Sequence, residues 1–285
     1  MQPSAEQIPR WWLWPTILSL DAPAVVLAWQ RMLASAASVR VGFPETFVLG
    51  ASVWLAYCAD RWIEGWRLDP AIIRTPRHFF HQRWRWPIAA VWVAVLALDL
   101  AESFQRLPRD ELEAGFAVLL PVLAYLLSHQ LVHRNHPWRA PKEVCVAVLL
   151  GAGVAVFVAS QPGAHGAASA GIVAVFVALA FTNCALISVW EHEVDRSHGQ
   201  TSLAIQLKGR TGPIHLLPWA LGAACLAAAA LNPWPAQGFA CGAASALLLG
   251  LLDRVQARLG RRPARVLADL ALLTPLAPLA LGALG

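Results

Sequence analysis

The chain is short of charge. Only 14% of its 285 residues are charged, against 58% hydrophobic, and the mean hydropathy is +0.53. A soluble domain carries about 25% charged residues to cover its surface, so a water-soluble globule and a disordered chain are both excluded. Cysteine occurs five times (Cys58, Cys145, Cys184, Cys225 and Cys241), always inside or beside an apolar run and never as a CxxC pair. Such cysteines serve as small buried hydrophobes, and neither a disulfide scaffold nor a zinc site follows from them. Gly-rich phosphate loops of the Rossmann or P-loop spacing are missing. The opening stretch MQPSAEQIPRWWLWP lacks the basic segment, short apolar core and small-residue cleavage site of a secretory signal. The first apolar run is therefore expected to direct its own insertion. Tyr and Met occur twice each but Trp fourteen times, which suits indole anchors at a bilayer interface.

What the chain does have is long apolar runs. About 20 such residues in a helix cross roughly 30 Å of hydrocarbon, and backbone groups in lipid must be satisfied within the segment. Runs at 14–36, 44–64, 86–104, 114–132, 143–160, 168–190, 213–231, 236–252 and 264–284 predict one all-α integral membrane domain, a bundle of about nine transmembrane helices. Stretches such as GAGVAVFVA and GAACLAAAA permit close helix approach. Pro275 and Pro278 are expected to kink the last run.

The net charge of +5 is spread over the connections rather than gathered for nucleic acid. The loops after the second, fourth, sixth and eighth runs hold Arg67, Arg74, Arg77, Arg83 and Arg85; Arg134, Arg139 and Lys142; Arg196, Lys208 and Arg210; and Arg254, Arg258, Arg261, Arg262 and Arg265. The alternate loops hold only Arg40, Arg106 and Arg109. The positive-inside rule then puts the basic loops and the N-terminus on the cytoplasmic side of an inner membrane.

The informative residues are acids at two helix ends. The second run finishes as WLAYCADRWIEGWRLD, with Asp60 and Glu64 four apart on one helical face. The sixth finishes as ISVWEHEVDRSHGQTSLA, where Glu191 and Asp195 repeat the spacing and Glu193 turns away. Alone, either segment would be ordinary interfacial charge. Two matched segments arriving at the same membrane face point to a site. Four converging carboxylates call for a cation, and Mg²⁺, a hard ion that shares substrate phosphates, suits them. Arg61 and Arg196 follow Asp60 and Asp195 directly, and their forked donors suit phosphate. A diphosphate head at the acids and an apolar tail between the helices describe an isoprenyl diphosphate.

These residues carry a family resemblance. ADRWIEG resembles the ADRxxDG stretch in the first aspartate-rich motif of the UbiA superfamily of intramembrane prenyltransferases. EHEVDRSHGQTSL resembles that superfamily's second motif, DxxxDrxxGxxTL, with Glu191, Asp195, Gly199, Ser202 and Leu203 in register. PKEVCVAVLLGAG resembles the family's lysine-led fifth helix. The resemblance implies a UbiA-like bundle and Mg²⁺-dependent transfer of a prenyl group from a prenyl diphosphate to an apolar or aromatic acceptor, in membrane lipid and without nucleic acid. It implies Asp60, Glu64, Glu191 and Asp195 as catalytic metal ligands, and Arg61, Arg67, Tyr57, Lys142, Arg196 and Arg134 as substrate contacts. The family's first motif opens with Asn-Asp where this chain has Ala56 and Tyr57, and Glu stands for Asp at 64 and 191. A terpene cyclase of the same superfamily, or a non-catalytic membrane protein or transporter retaining the fold, are the alternatives.

Some residues fall outside the motifs. His129, His133 and His136, without an acid or Cys nearby, are expected to make phosphate or interface contacts rather than a metal face. RHFFHQRWRW (77–86) is expected to lie at the interface or cap a cavity. Asp99 is expected to be solvated near a helix end, and Asp269 to face the bundle interior.

Overall fold

The computed structural model describes residues 10–67, 75–128, 141–162, 166–231 and 236–282. A 3-10 turn, Trp11–Leu13, leads into α1 (Trp14–Ile17) and α2 (Asp21–Ala37). Then come α3 (Phe43–Arg67), α4 (Pro76–Arg83), α5 (Arg85–Arg106), α6 (Arg109–Leu127) and α7 (Lys142–Ala159). The order continues with α8 (Ala167–Trp190), α9 (His192–Ser197), α10 (Leu203–Gln206), α11 (Gly212–Leu231), α12 (Ala236–Leu259), α13 (Arg261–Ala271) and α14 (Leu276–Gly282). No strand occurs among the described residues. The helices α5, α7, α8, α11 and α12 are long and apolar enough to cross a membrane. The chain is a multi-pass integral membrane protein, all helical. Helices α3 and α6, with 25 and 19 residues, are long enough but less apolar: Asp60, Arg61 and Glu64 interrupt the end of α3, and Asp110, Glu111 and Glu113 the start of α6.

Helix α8 sits at the centre among four other helices and is apolar but for Ser169, Thr182, Asn183 and Ser188. It buries Ile172, Phe176, Leu179 and Leu186 against α2, α7, α11 and α12. Helix α5 is the opposite case. It turns Val91, Val93, Leu98 and Phe104 outward, as a lipid-facing helix does, and its buried residue is Asp99.

The first apolar run, expected to be continuous, is broken, and the last, expected to kink at its prolines, breaks before α14. Helices α1 and α2 meet at 76°. Ser19 takes a left-handed φ of 61° there, and the Asp21 carboxylate accepts from the Ala22 amide to start α2. At the other end, residues 272–275 form a turn before α14, with Pro275 opening the new segment. A break leaves helix-end carbonyls without intrahelical donors. The Trp29 indole, fully buried on α2, donates to the Leu272 carbonyl at 2.9 Å and satisfies one of them. Tryptophan therefore does more than anchor the interface. Trp54 donates to Leu18, Trp62 to Arg85 and Trp92 to Leu55, each bracing one helix to another segment's backbone.

Candidate functional site

Helix α4 lies across the end of α3, and Gly65 is what lets it approach. A Cβ at Gly65 would sit 3.2 Å from the His78 carbonyl oxygen and 3.5 Å from the Gln82 amide nitrogen. The Gln82 side chain returns a hydrogen bond to the Gly65 carbonyl at 2.9 Å. Seated this way, α4 buries His78 and His81 and carries Arg77 inward. The sequence expectation for 77–86 is an interfacial segment or a cavity cap; of these residues Arg77 lines the cavity, while Trp84 and Trp86 are exposed.

His78 bridges two helices. Its Nε2–H donates to Glu64 Oε2 at 3.0 Å, while Nδ1 accepts from the Thr75 hydroxyl at 2.5 Å. Those partners fix a neutral imidazole, and burial holds its pKa down to about 4 against the pull of Glu64. His81 donates Nδ1–H to the Arg77 carbonyl and accepts a weak bond from the Cys58 thiol.

On the opposite wall, α8 ends at Trp190 and the chain turns through Glu191 into α9. One oxygen of Glu191, Oε2, accepts from Arg265 Nη1 at 2.7 Å and from Arg77 Nη2 at 3.3 Å. Burial alone would raise the Glu191 carboxyl, but Arg265 and then Arg77 hold it down at about 2. Burial and then the Arg265 cation lower Arg77 in turn. Asp195 is buried one turn on, and its carboxyl is pushed up by burial although Lys142 lies beside it. Glu193 faces out toward Arg261. The following turn needs Gly199, whose φ is +65°. The Glu143 carboxylate accepts from the Leu203 amide at 3.0 Å and fixes the start of α10.

The two acidic segments, remote in sequence, line one cavity of about 650 Å³. Asp60, Glu64, Glu191 and Asp195 all reach it, with Tyr57, Arg61, Arg77, Lys142 and Arg265. The ammonium of Lys142 lies in the field of Asp195, Glu64, Glu143 and Asp60. Away from this pole the walls are mainly apolar, with side chains such as Leu49, Leu96, Val122, Leu150 and Phe176, interrupted by Ser52, Asp99 and Glu111. Arg61 also serves the fold. It donates to the Thr16 carbonyl and the Ser19 hydroxyl, lies 3.8 Å from Asp21, and passes over the Tyr57 ring. Arg67 and Arg196 are exposed and are not part of the cavity wall. Arg134, like His129, His133 and His136, lies outside the described residues.

Several wall residues lay outside the sequence motifs. Arg265 stands four residues before Asp269 in an otherwise apolar run, a spacing that marks one helical face and was the available signal. Asp269 does face the interior, where it accepts from Asn183 Nδ2 at 3.0 Å. Asp99 corrects the sequence expectation. It is buried, not solvated, accepts from the Ser52 hydroxyl at 2.9 Å and lines the cavity. Its neighbours in sequence are polar only toward the helix end, so burial by α3 could not be read from them.

As arranged, the carboxylates do not fit a cage for divalent ions. Among the described residues no three of His, Cys, Asp and Glu gather as a metal site. Glu191 is occupied by two guanidiniums, and Glu64 by an imidazole N–H.

No family model and no curated protein matches the sequence. Among solved structures, the chain is similar to the apo structure of a UbiA homolog from Aeropyrum pernix K1. The TM-score is 0.63 over 93% of this chain and 98% of that one, at 18% identity. The fold is thus UbiA-like: an all-helical membrane bundle enclosing a cavity with one charged pole.

Proposed function

We propose that the protein is an intramembrane prenyltransferase that takes an isoprenyl diphosphate and passes its prenyl group to an apolar or aromatic acceptor. The observation that carries this reading is the cavity itself: apolar walls that end where Asp60, Glu64, Glu191 and Asp195 meet Lys142, Arg77 and Arg265. A volume of about 650 Å³ is in the range of small-molecule sites. A flexible hydrocarbon tail suits such walls, and a diphosphate suits the charged pole. The UbiA-like fold supports the same reading, as do the two motifs in the sequence.

Transfer requires the allylic C–O bond to break. The bonding pair leaves with the diphosphate, and the carbon fragment becomes an allylic cation. The guanidiniums of Arg77 and Arg265 and the ammonium of Lys142 favour the charge that builds on the departing oxygen. The apolar walls exclude water from the cation until an electron-rich carbon of the acceptor bonds to it and gives up a proton. Mg²⁺ is the cofactor the resemblance implies, but the carboxylates are not arranged as its cage, and these steps use the chain's own groups. The basic loops suggest that the charged pole faces the cytoplasm.

The test is product analysis with geranyl, farnesyl and geranylgeranyl diphosphates, with and without aromatic acceptors. A prenylated acceptor is the expected product. A cyclic hydrocarbon without acceptor would make the protein a cyclase, and no consumption of any diphosphate would remove the enzymatic reading.

A further inference from the structure

Glu191 stands at the motif position from which a carboxylate would reach a divalent ion, yet its oxygen is filled by two arginines. Arg265 and Arg77 together bring it the two positive charges that one such ion would bring. Each guanidinium carries five N–H donors in a planar fork, and only one from each goes to Glu191. Asp269 and Asp21 also act on Arg265, and Glu64 on Arg77, so what the node offers a ligand is its unspent N–H donors rather than net charge. Both arginines belong to the cavity wall, and Lys142 lies in the same wall. The arginines come from α4 and α13, two short helices brought together only by tertiary packing, so neither could be recognised beside the motif in sequence.

We propose that Glu191 is a post that holds Arg77 and Arg265 at the cavity, and that this arginine pair binds the diphosphate head of the substrate directly, without a divalent ion. The proposal rests on the prenyl diphosphate reading and specifies how its charged pole works. Guanidiniums suit the task, because their forked donors match two phosphate oxygens at once and they remain charged when buried. The role of Glu191 follows from repulsion: two guanidiniums this close need an anion between them when the substrate is absent. A substrate phosphate takes up the donors that the post leaves free.

The experiment is calorimetric titration of the full chain in nanodiscs with farnesyl thiodiphosphate, a diphosphate analogue that resists ionisation, in EDTA and then in Mg²⁺. Binding in EDTA within about threefold of that in Mg²⁺ is expected. Arg265→Gln and, separately, Arg77→Gln are expected to weaken binding in EDTA by about tenfold or more, with Arg265→Lys between. Glu191→Gln is the sharper variant, because the two roles predict opposite signs. The Gln oxygen can still accept from both arginines while the negative charge beside the phosphates is gone, so a post gives tighter binding in EDTA, whereas a metal ligand gives weaker binding in Mg²⁺. Binding by the wild-type chain in Mg²⁺ alone, lost in Glu191→Gln, would overturn the proposal and leave the prenyl diphosphate reading standing. Farnesol bound as tightly as the thiodiphosphate would also overturn it, because the head would then contribute nothing. Absence of binding in both media would take down this proposal together with the prenyl diphosphate reading.

Discussion

Oε2 of Glu191 lies 2.7 Å from Nη1 of Arg265, tying the end of α8 to the first turns of α13. Arg77 completes the junction from α4, so three helices remote in sequence share one carboxylate. The arrangement is buried enough to matter energetically, with side chains 12%, 20% and 13% exposed.

Removing one member of a buried pair costs more than removing both, because the survivor keeps its desolvation penalty. Arg265→Gln is expected to lower stability by about 2–3 kcal/mol, with Arg77 limiting the loss. The double variant Arg265→Gln/Glu191→Gln is expected to lose less than the sum of the two single variants. Thermal unfolding of the detergent-solubilised protein measures all three.

Asp60 and Asp195 lie on the two walls of the charged pole, and Asp195 is buried. Asp60→Ala or Asp195→Ala is expected to reduce diphosphate release from a prenyl diphosphate by about a hundredfold, because Lys142 loses an anion that places its ammonium at the departing diphosphate. Membrane insertion should be unchanged. Pyrophosphate assay and membrane fractionation check the two halves, and full turnover in both variants would remove these residues from the reaction.

The pH dependence has a definite sign. His78 and His81 are each held down to about 4, from 6.5, mainly by burial. Between those values the unfolded chain takes protons that the folded chain refuses, so stability is full above pH 6.5 and falls as pH drops toward 4. Glu191, lowered from 4.5 to about 2 against its burial by Arg265 and Arg77, adds a second loss below pH 4.5. The unfolding midpoint, followed by Trp fluorescence, should be flat above neutrality and descend in these two stages. His78→Asn is expected to shrink the upper stage and leave the lower one in place.

Gly65→Val places branched carbon against the His78 carbonyl and the Gln82 amide, both backbone atoms of α4. Overpacking of this kind costs about 1–3 kcal/mol. The predicted result is a lower melting midpoint and faster proteolysis near α4. Activity should fall with it, since Arg77 depends on that seat.

Composition and periodicity alone determined that the chain is a helical membrane protein, because a bilayer admits few backbones and demands apolar surface. They also brought Asp60, Glu64, Glu191 and Asp195 forward, since the i,i+4 spacing is a local property of a helix. Gly199 and Gly65 were legible as motif letters, but their reasons, a left-handed turn and the close approach of α4, needed coordinates. Tertiary structure alone decided which cation each acid meets. Arg265 and Arg77 are 74 and 114 residues from Glu191, and no local rule links positions so far apart. It also turned Asp99 inward onto Ser52, broke the first run, and brought Arg61 and Trp29 to the carbonyls freed there and at the proline-marked break of the last. Hydropathy is a sum over neighbours in sequence, whereas a charged pole is a meeting of helix ends, set by how the bundle packs.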